Sequence, residues 1–75
     1  MEITIQNHIS AAFDSVNLIN QTVLLDKTDQ NKNSVKRNFE HLEIKLADTE
    51  FAEALTAEQK TDIEASIQLG KDFIN

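Results

Sequence analysis

The chain has 75 residues, no cysteine, and thirteen acidic against seven basic side chains, which gives a formal net charge of -6. This length leaves room for one domain with one core, and the lack of cysteine excludes a disulfide framework. No basic patch suited to a nucleic-acid backbone is present, since Lys32, Lys36 and Arg37 are interleaved with acids. Because neither a signal peptide nor an apolar run of about 20 residues is found, we expect one domain over residues 1-75 in a reducing cytoplasm, with no membrane partner.

The first predicted element is a helix over about residues 4-25. Its apolar residues recur at spacings of four and three, which place them on one helix face. They are Ile5, Ile9, Ala12, Val16, Ile19 and Val23. For Met1 to Ile5 a short strand is an open alternative. A polar connection, Asp26 to Asn33, is expected to follow, because its residues favour turns and caps.

The second predicted helix covers about residues 34-47. Four apolar residues repeat the same spacing, namely Val35, Phe39, Leu42 and Leu46. A short helical turn is expected over 49-55, where Phe51 and Leu55 would close one end of the core.

The last predicted helix covers about residues 57-73. Thr56 and Gln59 form the sequence pattern of a capping box, which marks its start. Its apolar face contains Ile63, Ile67, Gly70 and Ile74, and Leu69 and Phe73 are expected to widen that face towards the core. With no proline and a single glycine to supply tight turns, the three stripes predict an all-α fold, a small three-helix bundle.

Three apolar residues lie away from the core stripes and are the predicted interaction face. Leu18 and Leu25 belong to a thinner stripe on the opposite side of helix one, and Ile44 lies off the stripe of helix two. They are either isolated exposed residues, which are common, or a contact with another subunit or partner. For Ile44, a third option is coverage by Phe51 and Leu55.

Metal binding finds little support in the sequence. His8 and His41 lack the Glu-x-x-His or His-x-x-x-His pair that a helical metal site requires, and the positions three and four residues before His41 are Asn38 and Arg37, so no metal ligand is expected. Residues 29-40 partly match a calcium-binding loop, with Asp29, Asn31, Asn33 and Glu40 at ligand positions. The position that needs glycine is Ser34, and two cations follow it, so this remote alternative is a degenerate loop.

Catalytic motifs are also missing. The chain has no cysteine nucleophile, no glycine-flanked serine elbow and no phosphate-binding glycine loop. A thin bundle of this length also leaves little volume for a ligand pocket of about 300 Å³ or more. We therefore expect no enzyme, no cofactor and no small-molecule substrate.

The C-terminal half resembles a pattern found in small uncharacterised proteins of marine tailed bacteriophages. The resemblance covers the stretch from Val35 to Ala47, then Leu55 to Lys60, and finally Gly70 to Ile74. It implies a viral origin, and with it a place in the host cytoplasm or the virion, but it assigns no activity.

The sequence therefore predicts a non-enzymatic protein that acts through contact with other proteins. One hypothesis is a structural module that assembles with copies of itself, and the alternative is an acidic adaptor or inhibitor that binds a host protein. In either case Leu18, Leu25 and Ile44 would supply the apolar contact.

Overall fold

The computed structural model describes residues 4-75, which form a bundle of three long α-helices and one short one. The helices are α1 (Ile5–Thr22), α2 (Asp29–Ala47), α3 (Thr49–Ala54) and α4 (Ala57–Ile74). The three long helices pack against one another pairwise, and α3 lies against α1 and α2. No strand occurs between residues 4 and 75, so the all-α prediction is confirmed, with α3 at the expected helical turn. The alternative of an N-terminal strand falls largely on residues 1-3, outside the described range.

Each helix begins at a side chain that caps its free amides. Thr4, Thr28 and Thr56 are extended residues whose hydroxyls accept a hydrogen bond from the amide three positions later, and Asp48 does the same for α3 through its carboxylate. At α4 the predicted capping box is present: Thr56 Oγ1 accepts from the Gln59 amide at 3.1 Å, and the Thr56 amide donates to Gln59 Oε1 at 3.0 Å. Local side-chain chemistry therefore sets the helix starts.

The predicted start of the second helix at residue 34 is wrong, since α2 begins at Asp29. Thr28 Oγ1 accepts from the Asn31 amide at 3.1 Å, and Asn31 Nδ2 donates to the Asp26 carbonyl at 2.8 Å. These bonds satisfy groups at the helix start, so the capped turn forms although Asp29, Asn31 and Asn33 have low helix propensity. Most of the segment expected to be a loop is helical.

The longer α2 also overturns the calcium-loop alternative. Residues 29-40 all lie within one continuous helix. A helix points successive side chains about 100° apart around its axis, whereas a calcium loop must wrap its ligands around one point. Asp29, Asn31, Asn33 and Glu40 therefore do not converge on a common cation.

The first helix ends earlier than the predicted residue 25. Its last residue is Thr22, and Val23 is the C-cap, with an amide that donates to the carbonyls of Gln21 and Ile19. Leu24 and Leu25 lie in the turn that follows. Leu25 therefore does not belong to a stripe on α1.

The three predicted apolar stripes meet in one core, which confirms their assignment. Its buried hydrophobic residues are Ile9, Ala12, Val16, Ile19, Val35, Phe39, Leu42, Phe51, Ile63, Ile67 and Phe73. Gly70 is buried where α4 crosses α2. A Cβ atom there would lie 2.7 Å from Phe39 Cδ2 and 3.0 Å from Val35 Cγ1, so the two helices approach more closely than any larger residue permits without a shift.

Candidate functional site

The three residues of the predicted interaction face lie on separate parts of the fold. Leu18 is on α1 and 50% exposed, Leu25 is in the α1–α2 connection and 59% exposed, and Ile44 is on the outward side of α2 and 71% exposed. Phe51 and Leu55 thus leave Ile44 uncovered. The three surface depressions described below are lined by other residues, and none of them contains Leu18, Leu25 or Ile44.

An open groove of about 440 Å³ runs between α1 and α4, and we name it the α1–α4 groove. Its lining residues are Phe13, Val16, Asn17, Asn20, Asp62, Ala65, Ser66 and Leu69. Leu69 is 46% exposed, and Phe13 is partly buried against the core. Two apolar side chains, one from each helix, therefore remain within reach of another molecule.

The polar side chains of the α1–α4 groove fix its two walls to each other. Ser66 is buried, and its hydroxyl donates to Asn20 Oδ1 at 2.9 Å. The bond leaves the amide group of Asn20, an exposed residue, available to solvent or a partner. Asp62 is the single charged residue in the lining, which holds no lysine or arginine. The groove combines an apolar floor with neutral and acidic walls.

Sequence reasoning missed this groove. Leu69 was expected to widen the core face of α4, and that interpretation is correct for the buried Phe73 but wrong for Leu69. Leu24, which is 84% exposed, was overlooked because it lies next to the stripe member Val23. The available signal was the adjacency of Phe13 to Ala12, which extends the apolar face of α1 beyond its stripe.

A second groove, also about 440 Å³, lies between α2 and α4. Its apolar residues are Leu46, Ala47 and Ile67, and Ile67 is buried. Glu43 at its edge already pairs with Lys71, with 3.0 Å between the carboxylate and the ammonium. No large apolar side chain in this groove is exposed to the extent of Leu69, so it lacks a single half-exposed residue that a partner could cover.

A smaller pocket of about 150 Å³ lies where α1, α2 and α3 meet. Lys45 Nζ is 3.2 Å from His8 Nδ1, and this nitrogen must accept because an ammonium group can only donate. Asp48 accepts bonds from the Glu50 and Phe51 amides. The polar groups of this pocket therefore hold helices together, and its volume is about half that of a small ligand site.

The histidines and carboxylates of residues 4-75 do not assemble into a metal-binding group of three or more. His41 is exposed on α2, and His8 is occupied by Lys45. None of the helices in this range is long and apolar enough to cross a membrane.

Comparison of the chain with protein-family models, curated proteins and solved structures finds no match.

Proposed function

We propose that this protein is a non-enzymatic binding module that acts by docking another protein in the α1–α4 groove. The observation that supports the proposal is the half-exposed Leu69, which lies with Phe13 in a groove of about 440 Å³. Such a groove can take apolar side chains from a partner, and the surrounding polar groups can fix its orientation.

The energetic case depends on the apolar surface that remains uncovered. Complete burial of a leucine is worth about 1.5–3 kcal/mol, so covering the exposed half of Leu69 would contribute about 1 kcal/mol. Phe13 is less exposed and would add less, although aromatic side chains are common among residues that dominate interfaces. Contact with these two residues and the groove floor suits a modest, reversible interaction.

The groove is preferred over the predicted face of Leu18, Leu25 and Ile44 because it joins its apolar residues in one concave surface. Binding energy concentrates where side chains enter a shared pocket from which water is excluded. Leu18 and Ile44 lie on different helices, and single exposed residues of this kind are ordinary on a protein surface.

Self-assembly is the second candidate, since an exposed apolar groove also suits contact between copies. Light scattering on a size-exclusion column, over about a hundredfold range of concentration, distinguishes it from binding to a different protein. We expect a monomer of 8.5 kDa, because the acidic groove and the net charge of -6 oppose self-contact there. A dimer that Leu69→Glu dissociates would instead support assembly through the groove.

The matched control for Leu69→Glu is Leu18→Glu. The two leucines are almost equally exposed, at 46% and 50%, and both replacements add one negative charge. If the groove is the docking surface, only the change at Leu69 alters association. Equal effects of the two changes, or no effect of either on any partner, would contradict the proposal.

We further propose a cytoplasmic site of action for a phage-encoded protein of this kind. The support is the resemblance of the C-terminal half to phage proteins. An acidic protein with a docking groove would fit either a virion part or an inhibitor of a host protein. The virion alternative is tested by purifying the phage particles and identifying their proteins by mass spectrometry.

A further inference from the structure

We infer that the α1–α4 groove receives a positively charged amphipathic helix. The inference rests on the proposed function, because it names the partner chemistry of the same groove. Three features of the described residues support it: the sign of the charges along the groove, the position of the basic residues, and the shape of the two walls.

The charges on the groove side are acidic. Asp62 lines the groove directly. Glu58 lies one turn before Asp62, so helical periodicity places both carboxylates along the same side of α4. The other wall adds no positive charge, because α1 contains no lysine or arginine.

The basic residues of α4 face the other way. Lys71 is 3.0 Å from Glu43 of α2, and Lys60 shares that flank because it lies four residues before Glu64, which lines the α2–α4 groove. Lys27, which follows α1, lies near the C-terminal end of α4, with its ammonium 5.7 Å from the centre of the Phe73 ring. The acidic residues Glu58 and Asp62 therefore lie towards the N-terminal half of α4, and a partner with flanking lysines or arginines complements them.

The shape of the groove suits a helix. The lining covers residues 13-20 of α1 and 62-69 of α4, which is about 10 Å along each helix and matches two turns of a partner helix. Side chains at i, i+3, i+4 and i+7 of an amphipathic helix can enter such a groove, as in other helix-in-groove complexes. A strand has no edge to pair with in residues 4-75, which contain no sheet. A second copy of this chain that bound through the same groove would bring its own acidic side chains against those of the first copy, and the like charges would repel.

The test uses three synthetic helical peptides of about 18 residues with the same leucine face and with lysine, glutamine or glutamate on the flanks. Fluorescence anisotropy with the full-length protein measures their affinities at low and high salt. We expect the lysine peptide to bind about tenfold more tightly than the glutamine peptide at low salt, with the difference shrinking as salt screens the charges. The glutamate peptide should bind most weakly.

Two pairs of variants connect this binding to the groove. Asp62→Asn should weaken the lysine peptide about threefold, whereas Glu53→Gln, which removes the same charge from exposed α3, should leave it unchanged. Leu69→Glu should weaken the peptide although it adds an attractive charge, and Leu18→Glu should not. Ala65→Glu, at an exposed position of the groove, repeats the Leu69 test should that variant fail to fold. Circular dichroism checks the fold of each variant.

The outcomes separate this inference from the proposed function. If the glutamine peptide binds as tightly as the lysine peptide and Leu69→Glu weakens both, the inferred preference for a positively charged partner is refuted. The proposal that the groove is a docking surface is then supported. If the protein forms a dimer that Leu69→Glu dissociates, the inference that the groove receives a basic helix is refuted. The proposal that the groove binds a protein is then supported. If Leu69→Glu strengthens the lysine peptide, or changes neither peptide binding nor association, the groove is not a docking surface and both proposals fail.

Discussion

Replacement of Gly70 by alanine tests how closely α2 and α4 approach. A Cβ atom at this position would lie 2.7 Å from Phe39 Cδ2, 3.0 Å from Val35 Cγ1 and 3.4 Å from Phe39 Cβ. Both neighbours are buried, and the χ1 angle of a valine is stiff, so neither side chain can move aside at low cost. The helices must therefore separate slightly, or the core must repack.

Two opposing effects decide the sign of the change. Alanine favours the helix over glycine by about 1 kcal/mol in a helix interior, and by less near an end. Overpacking a close contact costs about 1–3 kcal/mol. We expect Gly70→Ala to lower the free energy of unfolding by about 1 kcal/mol, and Gly70→Val to lower it further.

Urea unfolding followed by circular dichroism measures the change. A loss of about 1 kcal/mol should also lower the melting temperature by about 4–8 °C in a domain of this size. Ala65→Gly is the matched control, since Ala65 is exposed on the same helix and reports helix propensity without the core contact. If Gly70→Ala stabilises the protein by the amount that Ala65→Gly destabilises it, the close approach of α2 and α4 is refuted.

Two further predictions concern the helix starts and the short helix. Thr56→Ala removes the hydroxyl of the capping box and should lower the free energy of urea unfolding by about 1 kcal/mol. The control Thr61→Ala removes a hydrogen bond to the Ala57 carbonyl within α4 and should change stability by less than about 0.5 kcal/mol. Equal losses in the two variants would contradict the role of the cap. Phe51→Ala leaves a cavity where the buried side chain of α3 packs and should lower the free energy of unfolding by about 3–5 kcal/mol, comparable to the whole stability of a domain this small. Phe51→Leu should lower it by about 1–1.5 kcal/mol and leave a cooperative thermal transition. A Phe51→Ala protein with an unchanged urea midpoint would show that α3 does not support the core.

Much of the fold could be predicted from the sequence because a helix in a small bundle buries one regular stripe. Residues such as Ile19, Leu42 and Ile63 follow that spacing, and each is buried. The cap at Thr56 was visible because a second signal, Gln59, supported it. Thr28 has no such partner, and the neighbouring asparagines and aspartates favour turns and caps, so the sequence predicts a loop where the first turn of α2 forms.

The candidate groove could not be predicted in the same way, because periodicity gives the direction of a side chain but not the distance to the neighbouring helix. Phe13 and Leu69 each lie at the border of a core stripe, where coverage depends on how closely α1 and α4 approach. Gly70 allows α4 to lie close against α2. Towards α1, the small side chain of Ser66 on α4 donates a hydrogen bond to Asn20. Leu69, at the border beside Ser66, is 46% exposed, whereas Gly70, the next residue, is buried against Phe39 and Val35.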